Sequence, residues 1–189
     1  MTSILYTAKQ IEAGVRRVAA DIRGIRSTMQ CTAPLVFVGN LNGALFFMTD
    51  LMRMIQIPHQ FDFIQTSAYG NNKAISDSGA NMLRTPVTHL GGKHVVFVDD
   101  ILETGTTARV CLDWISSMCP ARLDAAFMFE KAVSRRPLGF PGTQFMFGIA
   151  QVPDVFLYGY GLDLDGYQRE LPEVHFLSNG GRVQPCSSD

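Results

Sequence analysis

The chain has 189 residues, 47% of them hydrophobic and 17% charged, with a formal net charge of −1. That length and apolar content suit a single domain over residues 1–189 with a substantial core, and exclude an intrinsically disordered chain. The charge balance offers no global basic field for a nucleic acid backbone, and no apolar run approaches the roughly 18 residues that span a bilayer. The first residues lack a basic stretch followed by a long apolar one, so no secretory signal is expected. The cysteines at 31, 111, 119 and 186 form no Cys-x-x-Cys pair, and reduced thiols in a cytoplasmic protein are the expectation.

Residues 7–26 read as a helix. Thr7 can cap it, Gln10 can close a capping box, and Ile11, Val15, Val18, Ala19, Ile22 and Ile25 form one apolar stripe at helical spacing. Arg16, Arg17 and Arg23 read as its solvated face. Residues 34–38 read as a short buried strand, residues 39–44 as a turn and residues 45–55 as an apolar helix. A glycine-bearing turn between a buried strand and a helix can offer backbone N–H groups to an anion. Residues 61–65 alternate as a strand does. The polar stretch after them has no core-forming period, which predicts a long mobile loop over about residues 66–84.

Residues 94–107 are the most informative run. Val95 to Val98 read as a buried strand, Asp99 and Asp100 follow side by side, residues 103–107 form a turn, and a helix begins at Ala108. In a parallel sheet covered on both faces, ligands bind beyond the carboxyl ends of the strands. A turn of small and hydroxylic residues there presents N–H groups and hydroxyls at a helix N-terminus, which is an anion site. Yet three acids, Asp99, Asp100 and Glu103, border it. A ligand that satisfies both carries a phosphate together with polyol hydroxyls or bound metal, and a phosphorylated ribose has both parts.

Residues 108–118 continue as a helix that Pro120 ends, and residues 123–129 as a strand. Lys131 falls on the same sheet edge as the acids if the strands are parallel. Residues 137–153 read as a turn-filled connection with one strand near 144–149. Phe156 and Leu157 begin a run dense in aromatics and glycine. Asp163, Asp165 and Arg169 follow, and carboxylates with an arginine can hold a metal–pyrophosphate. Residues 174–177 read as a closing strand and residues 180–189 as a loose tail. Alternating strands and helices predict an α/β fold with a mainly parallel central sheet flanked by helices. A P-loop is excluded, because no Gly-Lys-Thr or Gly-Lys-Ser occurs.

Residues 95–107 run apolar strand, two acids, two apolar residues, acid, Thr-Gly, then Thr. This resembles the phosphoribosyl-pyrophosphate motif of the type I phosphoribosyltransferases. Leu41-Asn42-Gly43 resembles the pyrophosphate loop of the purine salvage members, where the peptide after the leucine is often cis and many relatives carry Lys at the position of Asn42. Ser67-Ala68-Tyr69 resembles the Ser-Tyr pair of the family's flexible catalytic loop. The run from Pro153 through Phe156, Gly159-Tyr160-Gly161-Leu162-Asp163 and Tyr167 to Arg169 is similar to the segment that separates 6-oxopurine enzymes from the wider group. Nearly the whole chain thus resembles the hypoxanthine-guanine phosphoribosyltransferases.

The resemblance implies the type I phosphoribosyltransferase fold with a small hood over about residues 150–178. It implies transfer of a phosphoribosyl group from 5-phosphoribosyl-1-pyrophosphate to hypoxanthine or guanine, with Mg2+ as cofactor. It also implies small-molecule partners, neither nucleic acid nor membrane, and assembly as a homodimer or homotetramer. By position, Asp99 and Asp100 would bind the ribose hydroxyls directly or through magnesium, and Thr104, Gly105, Thr106 and Thr107 the 5′-phosphate. Lys131 would donate to the purine 6-oxygen, Phe156 would stack on the ring, and the Leu157 backbone would meet its far edge. Leu41, Asn42 and Gly43 would face the pyrophosphate, Asp163 the magnesium–pyrophosphate and Arg169 the pyrophosphate itself. Ser67 and Tyr69 would close the site. Glu103 would be the general base where the family commonly has Asp. Two competing readings are a xanthine-preferring enzyme and a nucleic-acid-binding regulator on the same fold.

Overall fold

The valine-rich runs become the middle of a six-stranded sheet in the computed structural model, which describes residues 2–67, 81–134 and 140–177. In chain order the elements are β1 (Thr2–Tyr6), α1 (Ala8–Thr28), β2 (Leu35–Leu41), α2 (Leu45–Ile55), β3 (His59–Ser67), β4 (Asn81–Arg84), β5 (His94–Leu102), α3 (Thr106–Ser117), β6 (Arg122–Lys131), β7 (Phe145–Val152), β8 (Leu157–Tyr158) and β9 (Val174–Leu177). The main sheet runs β4-β3-β2-β5-β6-β7. All neighbours pair in parallel except β4, which is antiparallel to β3.

The chain moves outward from β2 to β3 through α2, and in the opposite direction from β5 to β6 through α3. Right-handed crossovers that run opposite ways place their helices on opposite faces. Accordingly α1 and α2 share one apolar cluster and α3 belongs to the other. The strands alternate between them: Phe37, Val96 and Val98 face α1 and α2, whereas Val36, Val38, Val95 and Phe97 face α3. A strand covered on both sides needs such an uninterrupted apolar run.

The capping box at Thr7 and Gln10 is present, with the Thr7 N–H donating to Gln10 Oε1 at 2.9 Å. One face of α1 is not simply solvated. A Cβ on Gly14 would lie 2.8 Å from Met128 Cε and 3.0 Å from the Gly148 carbonyl, so the helix rests almost directly on the sheet. Arg17 uses that closeness and donates to the Gly148 oxygen at 2.9 Å. Arg23 donates to the Met54 oxygen at 3.1 Å, and Arg16 pairs with Glu12.

Several boundaries differ from the expectation. β2 runs on through Gly39, Asn40 and Leu41 because β3 stays beside it as far as Leu41 and Gln65. β5 includes both acids because Asp99, Ile101 and Leu102 remain paired with β6. α3 begins at Thr106, two residues early. The ends of the expected 66–84 loop are strand: Thr66 and Ser67 finish β3 and β4 pairs back on it, while residues 68–80 lie outside the described residues. The hood contains a second sheet, β1-β9-β8, to which the chain's first strand contributes. Leu157, Tyr160 and Leu162 pack it into the α1–α2 cluster.

Cys31, Cys111 and Cys119 are free thiols, and burial, then the Asp99 charge, pushes Cys111 far up. Among the described residues no helix is long and apolar enough to cross a membrane.

Candidate active site

The strand order reverses between β2 and β5, and the sheet opens there. β2 leaves β5 after Gly39 and Val98, and a cleft of about 660 Å³ begins beyond that point. A switch in strand order at the carboxyl edge is where open α/β sheets bind ligands. Gly43, Asp99, Asp100, Glu103, Thr104, Gly105, Thr107, Asp163 and Arg169 all line this one cleft. Thr106 opens α3 beside it.

Consecutive residues of a strand point to opposite faces, so the two acids do not act as a parallel pair. Asp99 meets Asn40, whose Nδ2 donates to its two oxygens at 3.3 and 3.2 Å. Asp100 turns toward Gly43, where an added Cβ would sit 1.9 Å from Asp100 Oδ2. Gly43 is therefore glycine because the acid occupies the space a side chain would need. Burial raises both carboxyls above the ordinary range. The charge of Asp100 raises Asp99 further, while the Ile101 N–H and the nearby Arg169 ease Asp100.

Gly105 caps α3 at φ +80°, a left-handed conformation that glycine takes freely, and no side chain caps this helix. Apart from the Thr106 N–H, which donates to Thr104 Oγ1 at 3.4 Å, its first N–H groups are placed for an anion. Thr104 Oγ1 donates to Thr106 Oγ1 at 3.2 Å, which holds the hydroxyls of the turn together.

Lys131 lies at the end of β6 beside this turn. It is not solvated: only 8% of it is exposed, and Nζ donates to Glu103 Oε1 at 2.8 Å and Asp154 Oδ1 at 3.2 Å. Burial works against its charge, but the two carboxylates outweigh burial and hold its pKa above the usual value. Phe156 is 52% exposed, a free aromatic face, whereas Leu157 is buried.

On the hood side, Asp163 accepts from Arg169 at 2.8 Å and from the Gly166 N–H at 2.9 Å, and Arg169 also donates to the Gly161 carbonyl. Gly161 has φ +99°, and a Cβ there would lie 2.1 Å from the Gly43 oxygen. The Leu41–Asn42 peptide is cis. The side chain of Ser67 and all of Tyr69 lie outside the described residues. Among the described residues no group of three or more His, Cys, Asp or Glu converges closely enough to hold a metal ion by itself, so Asp99, Asp100 and Asp163 do not form a closed metal cage.

Three participants escaped the sequence reading. Asn40 and Thr66 line the cleft, and Asp154 holds Lys131. Asp154 follows Pro153 in the motif quoted above, which was the available signal. Asn40 carried none, because Gly-Asn-Leu-Asn-Gly reads as a turn.

The phosphoribosyl transferase domain family matches residues 1–143, and the chain belongs to that family and is a phosphoribosyltransferase. Within it, the similar proteins are purine enzymes. The chain is 36% identical over 165 residues to the hypoxanthine-guanine phosphoribosyltransferase of Aquifex aeolicus, covering 87% of this chain and 89% of that one. It is 30% identical over 168 residues to the hypoxanthine phosphoribosyltransferase of Haemophilus influenzae, covering 89% and 90%. The hypoxanthine phosphoribosyltransferase of Trypanosoma cruzi, solved in complex with its product IMP, matches with a TM-score of 0.79 at 28% identity over 93% of this chain and 94% of that one.

Proposed function

We propose that this chain serves purine salvage, transferring the phosphoribosyl group of 5-phosphoribosyl-1-pyrophosphate to hypoxanthine or guanine and giving IMP or GMP and pyrophosphate. The observation that carries the choice of base is Lys131, a buried ammonium held charged by Glu103 and Asp154 beside a turn suited to a sugar phosphate. A fixed donor at that place matches a 6-oxygen and meets no acceptor on a 6-amino purine. A site that leaves such a donor unpaired discriminates strongly.

The other proposed roles follow from the positions these residues hold in the family's motifs. Thr104, Gly105, Thr106 and Thr107 offer hydroxyls and helix N–H groups to the 5′-phosphate. Asp99 and Asp100 accept from the ribose hydroxyls. Leu41, Asn42, Gly43, Asp163 and Arg169 border the leaving pyrophosphate. Phe156 stacks on the purine and the Leu157 backbone meets its edge. As the bond from C1′ to pyrophosphate breaks and the bond to the purine nitrogen forms, positive charge grows on the ribose. The buried Asp99 and half-buried Asp100 would stand close to that charge, which would favour the transition state over the ground state. Glu103 receives the proton that the purine ring gives up, after leaving Lys131 to the 6-oxygen. Ser67 and Tyr69 close the site against water.

Mg2+ is the proposed cofactor. Asp99, Asp100 and Asp163 are hard oxygen donors spread along the cleft, a set that suits an ion completing its shell with substrate phosphate oxygens. When bound, it would neutralise charge on the departing pyrophosphate. Assembly as a homodimer or homotetramer belongs to the same reading. So does cytoplasmic residence, which suits the free thiols. Turnover of the donor with each of hypoxanthine, guanine, xanthine and adenine tests the proposal. Product with the first two and little with adenine is expected. Equal use of adenine removes Lys131 from its role, and a preference for xanthine replaces the base assignment.

A further inference from the structure

The sheet is open between β2 and β5 at its carboxyl edge, yet one side chain crosses the opening. β2 keeps its pairing with β3 as far as Leu41 and Gln65, but its pairing with β5 ends at Gly39 and Val98. Asn40 is the first residue past the parting, and it is buried. Its Nδ2 donates to both oxygens of Asp99 on β5, at 3.3 and 3.2 Å, and its Oδ1 accepts from Thr66 Oγ1 on β3 at 3.1 Å. One amide thus joins three strands where the backbone ladder no longer joins two of them. The reverse amide orientation would set oxygen against carboxylate, so the charges on the partners fix which way it points.

This contact also decides how Asp99 is presented. Asp100 is its neighbour in sequence and repels it, which favours swinging the carboxylate away. Oδ1 of Asp99 accepts from both Asn40 and the Asp100 N–H, the latter at 3.0 Å, whereas Oδ2 is bonded to Asn40. The spare acceptor capacity is therefore concentrated on Oδ2. Asn40, Asp99 and Thr66 all line the same cleft.

We propose that Asn40 is a positioning residue for the sugar-diphosphate donor: by gripping both oxygens of Asp99 and anchoring itself on Thr66, it sets the direction from which that carboxylate meets the ribose hydroxyls. The inference rests on the phosphoribosyl-transfer reading above. It assigns to β2 a share in donor affinity that is separate from purine recognition.

Three variants test it, each measured for thermal midpoint, for binding of 5-phosphoribosyl-1-pyrophosphate by calorimetry without purine, and for the KM of each substrate. Asn40→Leu keeps the size and removes both hydrogen-bonding functions. It is expected to weaken donor binding at least tenfold while the purine KM changes less than twofold. The double variant Asn40→Asp with Asp99→Asn exchanges donor and acceptor. It should recover the thermal midpoint, because the pair is complementary again, yet keep weak donor binding, because the carboxylate now hangs from the wrong strand. Thr66→Val loosens only the anchor, with an expected two- to fivefold loss of donor binding, and it decides the matter together with the double variant if Asn40→Leu does not fold. Wild-type donor binding in Asn40→Leu overturns the inference. So does equal loss of donor and purine, or a double variant that recovers donor affinity along with its melting point. Absence of donor turnover in the wild-type enzyme instead overturns the phosphoribosyl-transfer reading.

Discussion

β5 and β6 bury an aspartate near each end of the strand pair, and the two sites treat it in opposite ways. At the amino end, Asp124 is fully buried and surrounded by donors. It accepts from His94 Nε2 at 2.8 Å, from Arg122 at 2.6 and 2.7 Å, and from the Gln144 N–H at 2.9 Å. Arg26 stands 3.2 Å from the other ring nitrogen of His94, and a guanidinium only donates, so that nitrogen accepts and Nε2 carries the hydrogen toward Asp124. Burial pushes Asp124 up, but these donors outweigh it and hold the carboxyl below its usual range. At the carboxyl end, Asp99 is buried just as deeply. Burial and the charge of Asp100 leave it well above the usual range. One acid has its acceptors satisfied inside the protein and fastens the fold. The other has fewer donors, the Asn40 amide and the Asp100 N–H, and faces the cleft.

The largest way to break this contrast is Asp124→Ala. It leaves His94 and Arg122 without their carboxylate, and removing one partner of a buried charged pair costs about 3–5 kcal/mol. Chemical denaturation should show that loss of stability. Next comes Asp100→Asn, which removes charge from the cleft while the cooperative melt is retained. A fall of roughly 10²–10³-fold in kcat/KM for the donor is expected, the scale for losing one preorganised charge-stabilising group. Wild-type kinetics would make the acid pair merely structural.

Asp99→Asn should have the opposite sign in stability. It relieves a buried, repelled carboxylate, so the thermal midpoint rises by a few degrees, about 1 kcal/mol, while donor turnover falls. The pH dependence sharpens this further. A folded-state pKa raised above the unfolded value makes ionised Asp99 a cost at neutral pH, and that cost disappears as pH falls through the folded value. The gap between Asp99→Asn and wild type should therefore close on acidification. Asp62 and Asp124 have lowered values, so the stability they contribute is present above the ordinary carboxylate range and is lost as pH falls through their folded values. Melting curves from neutral pH to about pH 3 read both signs at once. The smallest effect is Tyr160→Phe, which removes the 2.9 Å bond from the hood to Asp50 on α2 and should cost about 1 kcal/mol by the same measurement.

Much of this was legible before the fold was known, for local reasons. Thr7 and Gln10 mark the start of α1 because a capping box is a contact three residues long. The limits of α2 match residues 45–55 because its apolar content is confined between a glycine turn and Pro58. The acids and the Thr-Gly turn declared their chemistry by composition. What stayed hidden depends on distant partners. β1 pairs with β9, nearly the whole chain away, and nothing in Thr2–Tyr6 announces that neighbour. β5 continues through Asp99 and Asp100 only because β6 lies alongside. Arg17 looked solvated until Gly148 approached it, and although Lys131 was placed on the acids' edge, nothing local announced that Glu103 and Asp154 would enclose it.

The contact of Gly161 with the Gly43 carbonyl, backed by Asp100 against the other side of Gly43, has a consequence for anyone reshaping this enzyme. With no side chain at either glycine there is no slack to absorb a shift, so the segment proposed to meet the base and the loop proposed to face the pyrophosphate are held together at this contact. A chimera that imports a relative's hood segment must therefore import residues 41–43 with it, or this contact will be lost along the way.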